Sequence, residues 1–192
     1  MPDFTPFLQR VKDKKPDVLF IFVPGGAHTS AVVKAYGAMG LRDAGIRLVG
    51  PGDLTQDNKL QDLGAAAVGM VTMHHYNADL DNPYNKAFVA AYKKAHGEKE
   101  MPDFTAVGGY DGMAAIYKAL AKTNGNSDGD ALVGAMRGLA WESPRGPISI
   151  DPDTRDIVQN IYVRRVERVG GELFNVEFAT YEAVKDPLKV RN

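Results

Sequence analysis

The chain has 192 residues, is 44% hydrophobic and 24% charged, and carries a formal net charge of -1 with no cysteine. This is ordinary globular composition for one large domain or two small ones. It excludes a thiolate nucleophile, a disulfide framework and a cysteine-built zinc cage, and it offers no block of like charge for nucleic acid or an anionic membrane, so no nucleic-acid partner, metal or cofactor is expected.

Along the chain, Thr5-Pro6 reads as an N-cap followed by proline at the first helical position, with Phe7, Leu8 and Val11 on one helical face. Val18 to Val23 is a continuous apolar run, the pattern of a strand buried on both faces of a parallel sheet. The apolar stretch Val18 to Ala27 is about half the length of a membrane span and is broken by Pro24-Gly25-Gly26, so a soluble chain is expected. Thr29 or Ser30 then caps a helix that Gly40 stops. A second unit follows, with strand Arg47 to Val49, loop Gly50 to Asp53 and a short helix at Leu60 and Leu63. A third has strand Val68 to Met73, loop His74 to Asn82 and a helix from Pro83 to His96 capped by Asn82. Strands alternating with helices through short loops predict an α/β fold, an open parallel sheet with helices on both faces.

After Glu100 the pattern changes. Phe104 to Lys122 is a long helical stretch interrupted by Gly108-Gly109, and Ser127 or Asp128 caps a helix through Leu139. Pro147 to Ile150, a turn at Asp151 to Asp153, Ile157 to Val166, a Gly170-Gly171 turn and Leu173 to Phe178 then read as a β-hairpin region. Trp141 is expected to pack in the core or on a helix face.

Ligands of open α/β sheets bind beyond the carboxyl ends of the strands. That rule selects Pro24 to Ser30, Gly50 to Asp53, His74 to Tyr76, and Val107 to Gly112. Gly25-Gly26 before a capped helix presents backbone N–H groups suited to a carboxylate, or forms a plain strand-to-helix turn. It is neither a dinucleotide fingerprint nor a phosphate loop. His74 and His75 stand on adjacent strand residues, which point to opposite faces, so a shared metal ion is not expected. In one reading one histidine lines the crevice with Tyr76 while the other faces away; in the other both are surface loop residues. Asp53 and Asp111 are read as loop-end carboxylates that accept from a ligand or cap a helix. Tyr110 stacks on a ligand or packs an interface. No nucleophile elbow is found, and the chain is read as non-enzymatic; the alternative is an α/β enzyme acting on a small carboxylate with His74 or His75 as general base.

Asp3 to Phe7, Lys15 to Phe20, Gly40-Leu41 ahead of Leu48 to Gly50, Ala66 to Tyr76, Asn85 to Tyr92, Gly109 to Gly112 and Arg145-Gly-Pro147 through Ile157, in that order, resemble the type I periplasmic binding proteins, in particular the branched-chain amino-acid (Leu/Ile/Val) receptors of ABC transporters. The resemblance covers nearly the whole chain and implies the C-terminal fragment of such a receptor, without most of its first lobe. Residues 1–105 would be the second-lobe α/β domain, 106–155 helices and a hairpin of the first lobe, and 156–192 strands and tail returning toward the second lobe. It implies a solute-binding component of an ABC importer for an amino acid or a small carboxylate, aromatic ones included, with the ligand held by the loop carrying Gly25, Gly26 and Ala27 and by Gly52 and Asp53; the crevice rule adds His75, Tyr76, Tyr110 and Asp111 as candidate ligand contacts. Amino-acid receptors of the family carry an acidic residue in the second of these loops; here the best-matched position is Gly52, with Asp53 beside it, and a ligand lacking the amine, such as an aromatic or aliphatic carboxylate, fits the histidine pair and the glycines at least as well. The parent would be periplasmic and deliver to an ABC permease. The start Met1-Pro2-Asp3-Phe4 has no basic or apolar leader, so the parent's signal is expected upstream. Helix and strand faces within residues 110–150, including Met113, Ile116, Tyr117, Leu132 and Ile148, are expected to be uncovered and to make the fragment a homodimer.

Overall fold

A computed structural model describes residues 2–189. In chain order the elements are α1 (Thr5–Lys14), β1 (Val18–Phe20), α2 (Ala27–Ala38), β2 (Arg47–Pro51), α3 (Leu60–Leu63), β3 (Val71–His74) and α4 (Pro83–His96). They continue with α5 (Phe104–Lys122), α6 (Gly129–Met136), β4 (Ala140–Ser143), β5 (Gly146–Ile150), β6 (Ile157–Val169) and β7 (Glu172–Val184). Residues 2–79 and 162–179 form one compact unit, and residues 80–161 and 180–189 a second.

In the first unit, β1, β2 and β3 run parallel as neighbours, with Leu19 opposite Leu48 and Val49 opposite Val71. The C-terminal half of β6 joins β3 antiparallel, with Met73 opposite Val163, and β7 pairs with β6. The architecture is the expected open, mostly parallel α/β sheet with helices. Its core gathers Leu8 from α1, Val32, Val33 and Tyr36 from α2, Leu48 from β2 and Leu60 and Leu63 from α3. The buried Tyr36 hydroxyl donates to the Ile46 carbonyl at 2.6 Å, which lets a phenol sit in an apolar core without an orphaned group.

The Val18 to Val23 run departs from expectation. Only three residues pair, and Phe20 and Phe22 are 67% and 66% exposed. The reason is position: β1 is the last strand on its side of the sheet, so continuous apolarity here does not mean cover on both faces.

In the second unit, α4 starts as read: Asn82 Oδ1 accepts the Asn85 N–H at 2.7 Å and Pro83 occupies the first turn. Helix α5 runs unbroken through Gly108-Gly109, capped by Asp103, whose Oδ1 accepts the N–H groups of Thr105 and Ala106 at 3.0 Å each. Helix α6, capped by Asp128, ends at Met136 and not at Leu139, because Arg137 turns to ψ 126° and Gly138, at φ 70°, gives its N–H to the Ile150 carbonyl. Trp141 lies on a strand, β4, that forms a hairpin with β5; β5 then pairs antiparallel with the N-terminal half of β6. Ile148, expected to be uncovered, is buried in this hairpin.

Candidate functional site

Because β1, β2 and β3 are parallel, their carboxyl ends share one edge of the first unit, and the loops leaving them carry most of the sequence-selected residues. Gly26 is the N-cap of α2 at φ 104° and ψ -142°, a conformation essentially reserved for glycine. The helix therefore starts at Ala27, ahead of the expected hydroxyl cap. Thr29 instead donates its hydroxyl to the Pro24 carbonyl at 3.1 Å, bracing the loop from inside. Gly25 lies against the loop after β2: a Cβ there would come within 2.6 Å of the Gln56 side chain.

Gly52 opens a single 3-10 turn, Gly52–Thr55, that also holds Asp53. A Cβ on Gly52 would collide with the His74 imidazole and lie 2.6 Å from Arg164 Nη2. Only glycine fits. The structure thus brings Gly52 and His74 together, and His75 with them, since the two imidazoles stack with ring centroids 4.3 Å apart. The expectation that one histidine faces away is corrected. Strand β3 ends at His74, so the alternation of side chains does not extend to His75. Tyr76 is fully buried and does not open at the loop surface.

Behind these loops lies a buried polar layer that the sequence reading missed. Arg164, 1% exposed, donates from Nη1 to the Tyr76 carbonyl at 2.8 Å and from Nη2 to Thr72 Oγ1 at 3.3 Å. Its Nη1 stands 3.7 Å from Asp57 Oδ2. Burial holds its pKa below the usual arginine value, and Asp57 pulls it back up. Asn175 Nδ2 donates to Asp57 Oδ1 at 2.9 Å and to the Thr55 carbonyl at 2.7 Å, and the hydroxyls of Thr55 and Thr72 are 2.8 Å apart. A signal for Arg164 was available. Tyr162, Arg164 and Val166 fall in one period-2 phase of β6, and all three are buried, so a charge sits in the inward phase.

In the second unit, Tyr110 is about half exposed on α5 and its ring centroid is 5.0 Å from that of Phe88. Asp111 is neither a loop-end carboxylate nor a cap. It lies within α5, buried, where its Oδ2 accepts from Arg145 Nε at 2.6 Å and from the Ser143 hydroxyl at 2.8 Å. Arg145 Nη1 in turn donates to Gln159 Oε1 at 2.9 Å. Among the described residues, no group of three or more His, Asp or Glu side chains is disposed to hold a metal ion.

Comparison with known proteins matches residues 1–172 to the family described as periplasmic binding protein. The chain belongs to the periplasmic binding protein family. A relative from Brucella abortus (strain 2308), named Leu/Ile/Val-binding protein homolog 6, is 45% identical over 96% of the chain. The match covers 48% of that protein, so the chain spans about half the length of the curated relatives it matches. Among solved structures, a solute binding protein of an ABC transporter from Rhodopseudomonas palustris BisB5, in complex with 3,4-dihydroxy benzoic acid, is 57% identical with a TM-score of 0.93. It is matched over 98% of this chain and 51% of its own. A solute binding protein from R. palustris HaA2 in complex with p-hydroxybenzoic acid is 40% identical, TM-score 0.94, over 99% and 52%. This periplasmic binding protein chain therefore shares its fold and much of its sequence with solute receptors.

Proposed function

We propose that the chain is part of a non-catalytic solute receptor whose parent works in the periplasm, binds a small aromatic carboxylate and delivers it to an ABC permease. The observation that carries the reading is Gly52. In amino-acid receptors of the family an acidic residue in this loop meets the ligand's ammonium; here no side chain fits, and the space is taken by the His74 ring and the Arg164 guanidinium. At position 52 an acidic side chain is excluded and a guanidinium stands beside the backbone, which favours a carboxylate there, while Asp53, next in the turn, remains for a ligand hydroxyl. The relatives solved with 3,4-dihydroxy benzoic acid and p-hydroxybenzoic acid support the same class. The N-terminus of the 12-residue helix α2, with the Gly25 and Gly26 N–H groups before it, is a suitable seat for the carboxylate. Ala27, Asp53 and His75 would complete the first unit's contacts, whereas Tyr76, fully buried, acts by packing, and Asp111 serves the ion pair inside the second unit.

The test is calorimetric titration of 4-hydroxybenzoate, 3,4-dihydroxybenzoate and leucine, with chromatography of the recovered compounds. Binding of the benzoates, none of leucine, and unchanged compounds are expected. Binding of leucine alone, or a product whose formation needs His75, would overturn the reading.

For the 192-residue chain on its own we also propose self-association through α5 and α6. Met113, Ile116 and Tyr117 on α5 and Val133 on α6 are large apolar side chains left open to solvent, a grouping that marks an association surface.

A further inference from the structure

We propose that Arg164 is the positioning residue of the candidate site: it fixes the backbone at Gly52 and, by standing there as a buried cation, sets the ligand-charge preference. The ligand part rests on the aromatic-carboxylate reading above; the positioning part does not.

The loop after β2, strand β3 and the loop that follows it meet on one guanidinium. Nη1 holds the Tyr76 carbonyl, in the loop after β3, and stands beside Asp57, in the loop after β2. Nη2 reaches Thr72, within β3 itself, and stands 2.6 Å from where a Cβ on Gly52 would be. No other side-chain type spans these partners, because only the planar fork presents donors in several directions at once. The position of Arg164 is itself fixed by backbone pairing: Arg164 lies opposite Thr72 in the β3–β6 ladder. The group is therefore rigid, and the loops conform to it.

The charge is only partly answered. Asp57, at 3.7 Å, shares its carboxylate with Asn175, and Arg164 Nε is buried with no hydrogen-bond partner among the described residues. A desolvated cation answered by one carboxylate at 3.7 Å presents its Nη2 beside Gly52, where no Cβ stands between it and the backbone. The same contact excludes an acidic side chain at position 52. Specificity here combines an attractive charge with a steric block.

The experiment uses the full chain with Gly52→Ala, Arg164→Lys, their double variant and Arg164→Gln. In thermal unfolding, the loss in Tm from Gly52→Ala should be smaller when Arg164 is already lysine, since the Arg164 side of the clash then has a flexible partner while the His74 side remains. Additive losses overturn the proposal. By hydrogen exchange, Arg164→Lys should speed residues 51–57 and 74–77 by at least about tenfold and leave α2 unchanged; a uniform rise across the first unit means that Arg164 only fills space, and overturns it too. If Arg164→Lys does not fold, Gly52→Ala alone decides: faster exchange at 74–77 supports the proposal, and no change there refutes it. NMR titration reads the charge arm. The affinity ratio of 4-hydroxybenzoate to 4-hydroxybenzamide should fall at least fivefold in Arg164→Gln, and equal weakening of both removes the charge role. Wild-type protein that binds neither compound removes the proposed function, and Arg164 is then judged by the cycle and the exchange rates, which need no ligand.

Discussion

The Asp111 carboxylate and the Arg145 guanidinium, separated by 34 positions in sequence, meet at 2.6 Å inside the second unit and tie α5 to the turn between β4 and β5. Both side chains are almost fully removed from water; Ser143 and Gln159 add hydrogen bonds to the pair, and Asp111 Oδ1 is buried without a partner among the described residues. Removing one partner leaves a buried uncompensated charge, which costs about 3–5 kcal/mol. Asp111→Ala should lose that much stability, and Asp111→Asn less, because the amide keeps the volume and an acceptor for Ser143. Urea unfolding followed through Trp141, the single tryptophan and a member of the same unit, measures both. A loss below about 1 kcal/mol for Asp111→Ala would place the pair among weak surface bridges.

The C-terminal segment is strapped to the loop after β5. Lys185 Nζ lies 2.9 Å from Asp151 Oδ2, and Lys189 Nζ 2.8 Å from Asp156 Oδ1. These lysines hold both carboxyls below the ordinary range, with help at Asp151 from the N–H groups of Thr154 and Asp153, and the carboxylates raise both lysines in return. The signs fix the window. A depressed carboxyl contributes in full above its unfolded value of about 3.9 and is lost as pH falls through the folded value; a raised lysine contributes in full below about 10.4 and is lost as pH rises past its folded value. Amide shifts of Lys185, Leu188 and Lys189 should stay flat from about pH 5 to 9 and move only in stronger acid or base. A midpoint near neutrality contradicts the strap.

Gly25 and Gly26 should respond differently to alanine. At Gly25 the new methyl meets the flexible end of Gln56, which can swing away. At Gly26 there is open space, but φ is 104°, so the cost is backbone strain of about 1–3 kcal/mol. Gly26→Ala should therefore unfold at a lower denaturant concentration than Gly25→Ala. The reverse order would mean that Gln56 is held firmly in place.

Affinity provides a fourth prediction. A pocket that encloses a small ligand buries about 70–90% of its surface, and a chain spanning about half its relatives' length supplies part of that enclosure. The chain should bind 4-hydroxybenzoate at least about a hundredfold more weakly than a parent-length receptor, a loss of about 2.7 kcal/mol. Equal affinities by calorimetry would show that these two units suffice.

Self-association is read by sedimentation at micromolar concentration. A dimer or larger species is expected, and Ile116→Asp should convert it to monomer. A monomeric wild type, or an assembly untouched by that charge, ends the idea.

Local chemistry made most of the fold legible. Asn82-Pro83 and Asp103 announce their helices because capping is decided within four residues, and the three parallel strands follow from apolar runs spaced by helices. What sequence hid depends on distance. The β4 strand was missed because Ala140 to Ser143 is short and pairs only with β5. Asp111 read as a loop residue because Gly108-Gly109 suggested a break that tertiary packing overrides. At the site, glycine at 52 was visible as a departure from pattern, yet its cause was not, since Arg164 follows 112 positions later and reaches Gly52 only through the β3–β6 pairing.

The outer strand β1 has one further consequence, for handling the chain in solution. Its free edge offers unpaired backbone groups beside the exposed rings of Phe20 and Phe22, the ingredients of strand-to-strand aggregation. Proline brackets that edge at positions 16 and 24, and proline can neither donate to a ladder nor extend one. An incoming strand therefore has at most the seven residues 17–23 to pair with before the template stops. Clumping through this edge should stay short-ranged and reversible on dilution, without the open-ended growth that a longer, unguarded strand would seed.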